Sequence, residues 1–138
     1  MPDLEFVLVD EATFDDIPAP ARPGARCQTC DYWERIDGTR EAPAADAPAR
    51  ASLKRSRLLA SRDVAGSYGM LAYRRGGAGR SAVAYAQFGP LSAYPRAQSI
   101  RERYPELPES PAPWVVTCLQ VSPEIGDTAA REDAGTAL

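Results

Sequence analysis

Residues 66–90 read GSYGMLAYRRGGAGRSAVAYAQFGP, and no other stretch restricts the fold as much. Two β-rich runs, 68–73 and 82–88, flank the glycine-rich RRGGAGR. Aromatic and branched residues favour extended backbone, and glycines between them admit the positive φ that a chain reversal needs. The pattern predicts an antiparallel hairpin with a loop longer than two residues. Gly76, Gly77 and Gly79 also have the composition of a phosphate cradle. No helix follows to aim its dipole at an anion, so the turn reading is preferred.

The rest of the chain supplies elements to pack around that hairpin. LEFVLVDE (4–11) reads as an opening strand. In TFDDI, Thr13 and Asp16 have the spacing of a helix cap, and Pro18, Pro20 and Pro23 forbid a long helix after it. REAPAADAPAR (40–50) has the composition of a mobile surface loop. SLKRSRLLASRDV (52–64) predicts a helix that packs through Leu58 and Leu59. Its Arg/Lys cluster lacks interleaved aromatics and is read as a solvated face rather than a phosphate-binding one. A proline-punctuated stretch with a short helix at 98–104 leads to WVVTCLQVS (114–122), whose nearly continuous apolar character predicts a central strand buried on both faces. The order implies an α+β fold with a mixed, mainly antiparallel sheet and flanking helices. Such a central strand needs a neighbour on each side and cover on each face. The polar residues after Ile125 offer little of either.

Composition removes several kinds of function. The 138 residues suit one domain, and 44% hydrophobic content can support a core. Net charge is −3; Asp127, Glu132 and Asp133 against Arg131 place −2 in the last thirteen residues, leaving −1 in 1–125. That balance lacks the basic footprint of nucleic-acid binding. The N-terminal MPDLEFVLVDE has early acids and no basic segment, unlike a secretory signal, and no apolar run approaches the length of a membrane span. A cytoplasmic chain with reduced thiols is therefore expected. Histidine is absent, which removes Ser-His-Asp triads, Cys-His pairs and imidazole bases.

Three segments in order resemble the GNAT superfamily of acetyl-CoA-dependent N-acetyltransferases. YGMLAYRRGGAGRSAVAYAQFGPLSAYPR resembles the second and third strands of that family. WVVTCLQVSPE resembles the fourth strand with its V-x-P-E exit. CQTCDYWE is similar to a C-x-x-C-x-Y-W-E element in one bacterial branch. The resemblance covers about residues 27–125. It implies a partial GNAT-like fold in which the fourth strand splays from its neighbour and pairs its backbone with the pantetheine arm of acetyl-CoA. Leu119, Gln120 and Val121 match that stretch. It further implies a glycine-rich loop opening a helix that binds the pyrophosphate, and direct attack by an amine on the thioester, with backbone N–H groups polarising the carbonyl. No metal is implied. In IGDTAAREDAGTAL the nearest match to the loop uses Arg131 and Gly135, with Gly135 one residue out of register and Glu132 and Asp133 beside the phosphates. The resemblance thus divides the chain into 1–125, the N-terminal part of an acetyltransferase domain, and 126–138, a divergent tail in place of the loop. A truncated or frame-altered enzyme with weak or absent catalysis is expected, and no catalytic residue is assigned.

Two further constellations stay open. Cys27 and Cys30 form C-x-x-C, which is compatible with half a zinc site, a redox pair, or packing around a substrate pocket. Tyr32, Trp33 and Glu34 have the chemistry of a cationic amine pocket, with two rings and a counter-charge, or of two aromatics packed on a sheet beside a solvated acid. Gln87, polar within an apolar run, either lines the same cleft or faces solvent by alternation. The first functional reading is acetyl transfer to a small-molecule amine. The alternative is a non-catalytic binding or accessory module that pairs, as a homodimer or with a partner, through an exposed sheet edge.

Overall fold

The computed structural model of the chain describes residues 4–20, 24–36, 46–76 and 79–123. Its centre is the expected hairpin: β2 (Gly69–Gly76) and β3 (Gly79–Pro90) run antiparallel, and Gly79 enters β3 with φ of +121°. β1 (Leu4–Leu8) pairs with β2, and β4 (Trp114–Val121) pairs with β3. The order is therefore β1-β2-β3-β4, and all of these pairings are antiparallel. With α1 (Ala47–Leu59) and α2 (Gln98–Arg103) this is an α+β fold. Among the described residues no helix is long and apolar enough to cross a membrane.

Register decides which side chains share a face. Residues opposite one another across antiparallel strands point to the same side. One face carries Val7, Leu71, Tyr73, Tyr85, Gln87, Cys118 and Gln120. The other carries Leu4, Phe6, Leu8, Met70, Ala84, Ala86, Val116, Leu119 and Val121. Two bulges adjust the pattern. Ala72 faces Ala84 while Tyr73 faces Ala82, so Val83 is the extra residue. Gln87 faces Cys118 while Phe88 faces Val116, which leaves Thr117 over. The second bulge lets Val115 and Cys118 both lean to the covered side despite their odd spacing.

Among the described residues, only one face is covered. Val9, Phe14, Ile17, Cys27 and Leu58 pack with Leu71, Tyr73 and Tyr85 in the main core. A second cluster, Leu91, Tyr94 and Ala97, holds Trp33, Ile100 and Val115. Tyr94 closes this end by donating its hydroxyl to the Phe88 carbonyl at 2.6 Å.

Three sequence expectations need correction. β4 is an edge strand, not a central one: among the described residues it pairs with β3 alone, and Trp114, Val116, Leu119 and Val121 are 44–69% exposed. Its apolar run asks for two covering layers, and the described chain provides one. The helix begins at Ala47, so 47–50 of the expected loop is helical, with a proline in the first turn where its missing N–H costs nothing; residues 40–45 lie outside the described residues. Thr13 makes no side-chain cap on the 3-10 turn Phe14–Asp16. Asp10 organises that turn instead, accepting hydrogen bonds from the Ala12 and Thr13 amides and the Thr13 hydroxyl at 2.8–2.9 Å. Asp16 is left to accept the Tyr73 hydroxyl at 2.6 Å.

Candidate functional site

Helix α1 brings Arg50, Lys54, Arg57 and Leu58 to one face by their four-, seven- and eight-residue spacing. Because Leu58 is in the core, Lys54 one turn earlier is carried inward with it; the two are 2% and 1% exposed. Of the cluster expected to be solvated, Lys54 and Arg57 are therefore turned toward the segment 27–36, while Arg55 and Arg62 are exposed as expected. Lys54 Nζ donates to Glu34 Oε1 and to Gln87 Oε1, both at 2.5 Å. Gln87 Nε2 donates to Glu34 Oε1 at 2.9 Å, closing a triangle. The Glu34 and Lys54 side chains are 5% and 2% exposed. Beside them Asp31 draws in Arg35 Nε at 2.9 Å, Arg50 and, at 4.0 Å, Arg57. Burying so many charges is tolerable only because each acid faces a base and the polar atoms are shared.

This triangle separates two cavities. The larger, of about 340 Å³, is lined by Tyr32, Trp33, Gln87, Leu119 and Gln120, together with Lys54, Tyr85, Thr117 and the three cysteines. The smaller, of about 240 Å³, is lined by Glu34, Arg57, Tyr68, Gln87, Ser92 and Tyr94. Glu34 Oε2 is buried and has no hydrogen-bond partner among the described residues. Tyr85 is nearly enclosed, and burial raises its hydroxyl well above the usual phenol range. Burial also raises Tyr94 to about 12. Both phenols stay protonated at neutral pH and act as donors.

Five of the expected site residues thus meet in one cleft, and Glu34 is tied to it through Gln87. The geometry decides between the readings of Gln87: it is 2% exposed and faces inward. Glu34 is not solvated, but its charge already meets Lys54. Tyr32 and Trp33 pack edge to face with ring centres 5.3 Å apart, and the Arg96 guanidinium lies 4.0 Å over the Tyr32 ring. Arg96 also donates to the Arg35 and Ile36 carbonyls at 3.0 and 2.8 Å. The protein's own cations therefore occupy much of the expected cation pocket. Val121 is exposed and outside the cleft lining. Arg131 and Gly135 lie outside the described residues.

Sequence reasoning missed Lys54 and Cys118. The signal for Lys54 was Leu58 four residues on; for Cys118 it was the alternation Cys118–Gln120 against Leu119–Val121. Cys118 has the Cys27 thiol and the Lys54 charge near it and accepts a hydrogen bond from Gln120 Nε2 at 3.7 Å. These lower its thiol to about 6 against the opposing effect of burial. The same Cys118 contact, together with burial, pushes the Cys27 thiol up. Among the described residues no group of three His, Cys, Asp or Glu side chains is placed to hold a metal ion. Compared with family models, curated proteins and solved structures, the chain matches none.

Proposed function

We propose that the chain carries the thioester-arm site of an N-acetyltransferase-type domain, with acetyl-CoA as cosubstrate and a small-molecule amine as acceptor. The observation that carries this reading is β4 itself, an edge strand without a second described neighbour, whose residues 117–120 form one wall of the 340 Å³ cleft. An edge strand offers backbone N–H and C=O groups to an extended, amide-containing arm, as it would to a peptide. Leu119, Gln120 and Val121 would hold the pantetheine, and Tyr32 and Trp33 would flank its thioester end. The amine would attack the carbonyl directly, with backbone N–H groups polarising the carbonyl oxygen. The reading sets this chemistry in the cytoplasm, where the three unpaired thiols stay reduced. Catalysis is expected to be weak, because the nearest sequence match to the pyrophosphate loop carries the acids Glu132 and Asp133, which would repel phosphates.

Calorimetric titration with CoA, pantetheine and adenosine 3′,5′-bisphosphate tests it. Pantetheine and CoA should bind in the millimolar range or tighter, while the bisphosphate alone should not. No binding of CoA or pantetheine at several millimolar would refute the arm site. Robust acetyl transfer to amines would refute the impaired catalysis.

A second reading is favoured by a separate observation. The open face of the sheet carries a row of exposed apolar side chains, including Phe6 at 65% and Leu119 at 69%. A chain that pairs with a second copy through this face and the adjoining edge would dimerise without CoA. Sedimentation at several protein concentrations, with and without CoA, separates the two.

A further inference from the structure

The two carboxylate oxygens of Glu34 have different surroundings. Oε1 takes both donors of the triangle, Lys54 Nζ at 2.5 Å and Gln87 Nε2 at 2.9 Å. Oε2 is buried and accepts from no described residue. The side chain is 5% exposed, and Glu34 lines the smaller cavity but not the larger one. Arg57 lines the same smaller cavity. Its Nη1 is also buried without a hydrogen-bond partner among the described residues, since the Asp31 carboxylate that it faces lies 4.0 Å away. Buried polar atoms are rarely left unpaired, and charged ones least of all. One cavity is thus bordered by an acceptor that needs a donor and by a donor that needs an acceptor. The surrounding charge narrows the ligand further. Asp31 and Glu34 face Arg35, Arg50, Lys54 and Arg57, two acids against four bases. That positive excess repels a lone cation and favours a ligand that brings a carboxylate with its ammonium.

We propose that the smaller cavity binds a free apolar α-amino acid, its ammonium donating to Glu34 Oε2 and its carboxylate accepting from Arg57 Nη1. Spacing fits this class. Lys54, which holds Glu34, and Arg57 are three residues apart on α1, about 4.5 Å along its axis. An ammonium and a carboxylate on one carbon can bridge so short a gap. Size fits as well. A cavity of about 150 Å³ admits benzene, so one of about 240 Å³ admits about ten non-hydrogen atoms, the size of leucine. Leu58, Tyr68 and Tyr94 line the same cavity and offer apolar surface to the side chain, with Leu58 and Tyr94 fixed in the two core clusters. A few convergent polar groups on an otherwise apolar wall are what orient a small ligand. Binding is reversible and breaks no covalent bond. The inference does not rest on acetyl-CoA binding, because the thioester arm is placed in the larger cleft, across the Glu34–Lys54–Gln87 triangle.

Calorimetric titration of the full chain with L-leucine, isocaproate and isoamylamine tests the site. The last two keep the body of leucine, and each lacks one of its charged groups. Leucine should bind in the millimolar range or tighter. Each analogue should bind at least about tenfold more weakly, for the charge-assisted hydrogen bond that it loses. Arg57→Met leaves Asp31 paired with Arg35 and Arg50. It should weaken leucine about tenfold and leave isoamylamine unchanged. Should that variant fail to fold, the three ligands on the unaltered chain still decide. No binding of leucine at several tens of millimolar would leave the cavity to water alone and overturn the proposal. So would an analogue that binds as tightly as leucine, or an unchanged leucine affinity in folded Arg57→Met.

Discussion

The two faces of the sheet depart from the usual arrangement of a half-covered antiparallel sheet. The covered face holds Leu71, Tyr73 and Tyr85 at 0–1% exposure, and beside them Gln87, Cys118 and, from the helix, Lys54. The open face holds Leu4, Phe6, Leu8, Trp114, Val116, Leu119 and Val121 at 37–69% exposure. An ordinary sheet of this kind is polar outward and apolar inward. Here the polar groups are inside, each fixed by partners, while the apolar row is outside and amounts to roughly 600 Å². A polar group buried at the cost of desolvation needs partners, and an apolar patch of that size is one that no described layer covers. The proposed ligand site lies on the covered side, and the proposed self-pairing uses the open one.

Substitutions on either side sharpen that contrast. The largest effect is expected for Lys54→Met, which leaves Glu34 buried without its counter-charge and should cost about 3–5 kcal/mol in urea unfolding. The double variant Lys54→Met with Glu34→Leu should recover most of that loss; a double variant as unstable as the single would show that Lys54 acts through packing. Leu71→Ala, at 0% exposure, should cost about 3 kcal/mol. A smaller effect depends on pH. Cys118 ionises near 6 in the fold and near 9 as an ordinary thiol, so the unfolded chain binds more protons between those values. Its stabilisation is present above 9 and is lost as pH falls through 6. Cys118→Ser should flatten that rise, and an unchanged slope would place the titration elsewhere. Asp10→Ala removes the acceptor that organises the turn before Phe14 and should cost about 1 kcal/mol. Least of all, Leu119→Ser on the open face should change monomer stability by no more than about 0.5 kcal/mol. A loss of 2 kcal/mol or more there would mean that the open face is covered after all.

Much of the covered side was visible in the order of residues. The hairpin, the opening strand and the short helix at 98 followed from glycine placement and β-branched runs, because these act within a few residues. The α+β class followed from their order. Tyr32, Trp33 and Gln87 stood out because aromatic and polar residues in apolar surroundings are costly unless used. Lys54 did not stand out, since its direction depends on how α1 rolls against the sheet. Cys118 and Cys27 did not either, because their contact is made across the sheet and loop rather than along the chain.

Local sequence determined where the chain is extended, where it turns and which runs demand burial, since those preferences come from backbone sterics and side-chain hydropathy alone. Only the tertiary structure decided which demands are met. It turned Arg50, Lys54 and Arg57 inward onto Asp31 and Glu34, made an apolar strand an edge, and brought Cys27, Cys30 and Cys118 to the lining of one cavity. The reason is physical: charge pairing, strand neighbours and thiol contact depend on distances between segments, and no local preference sets those distances.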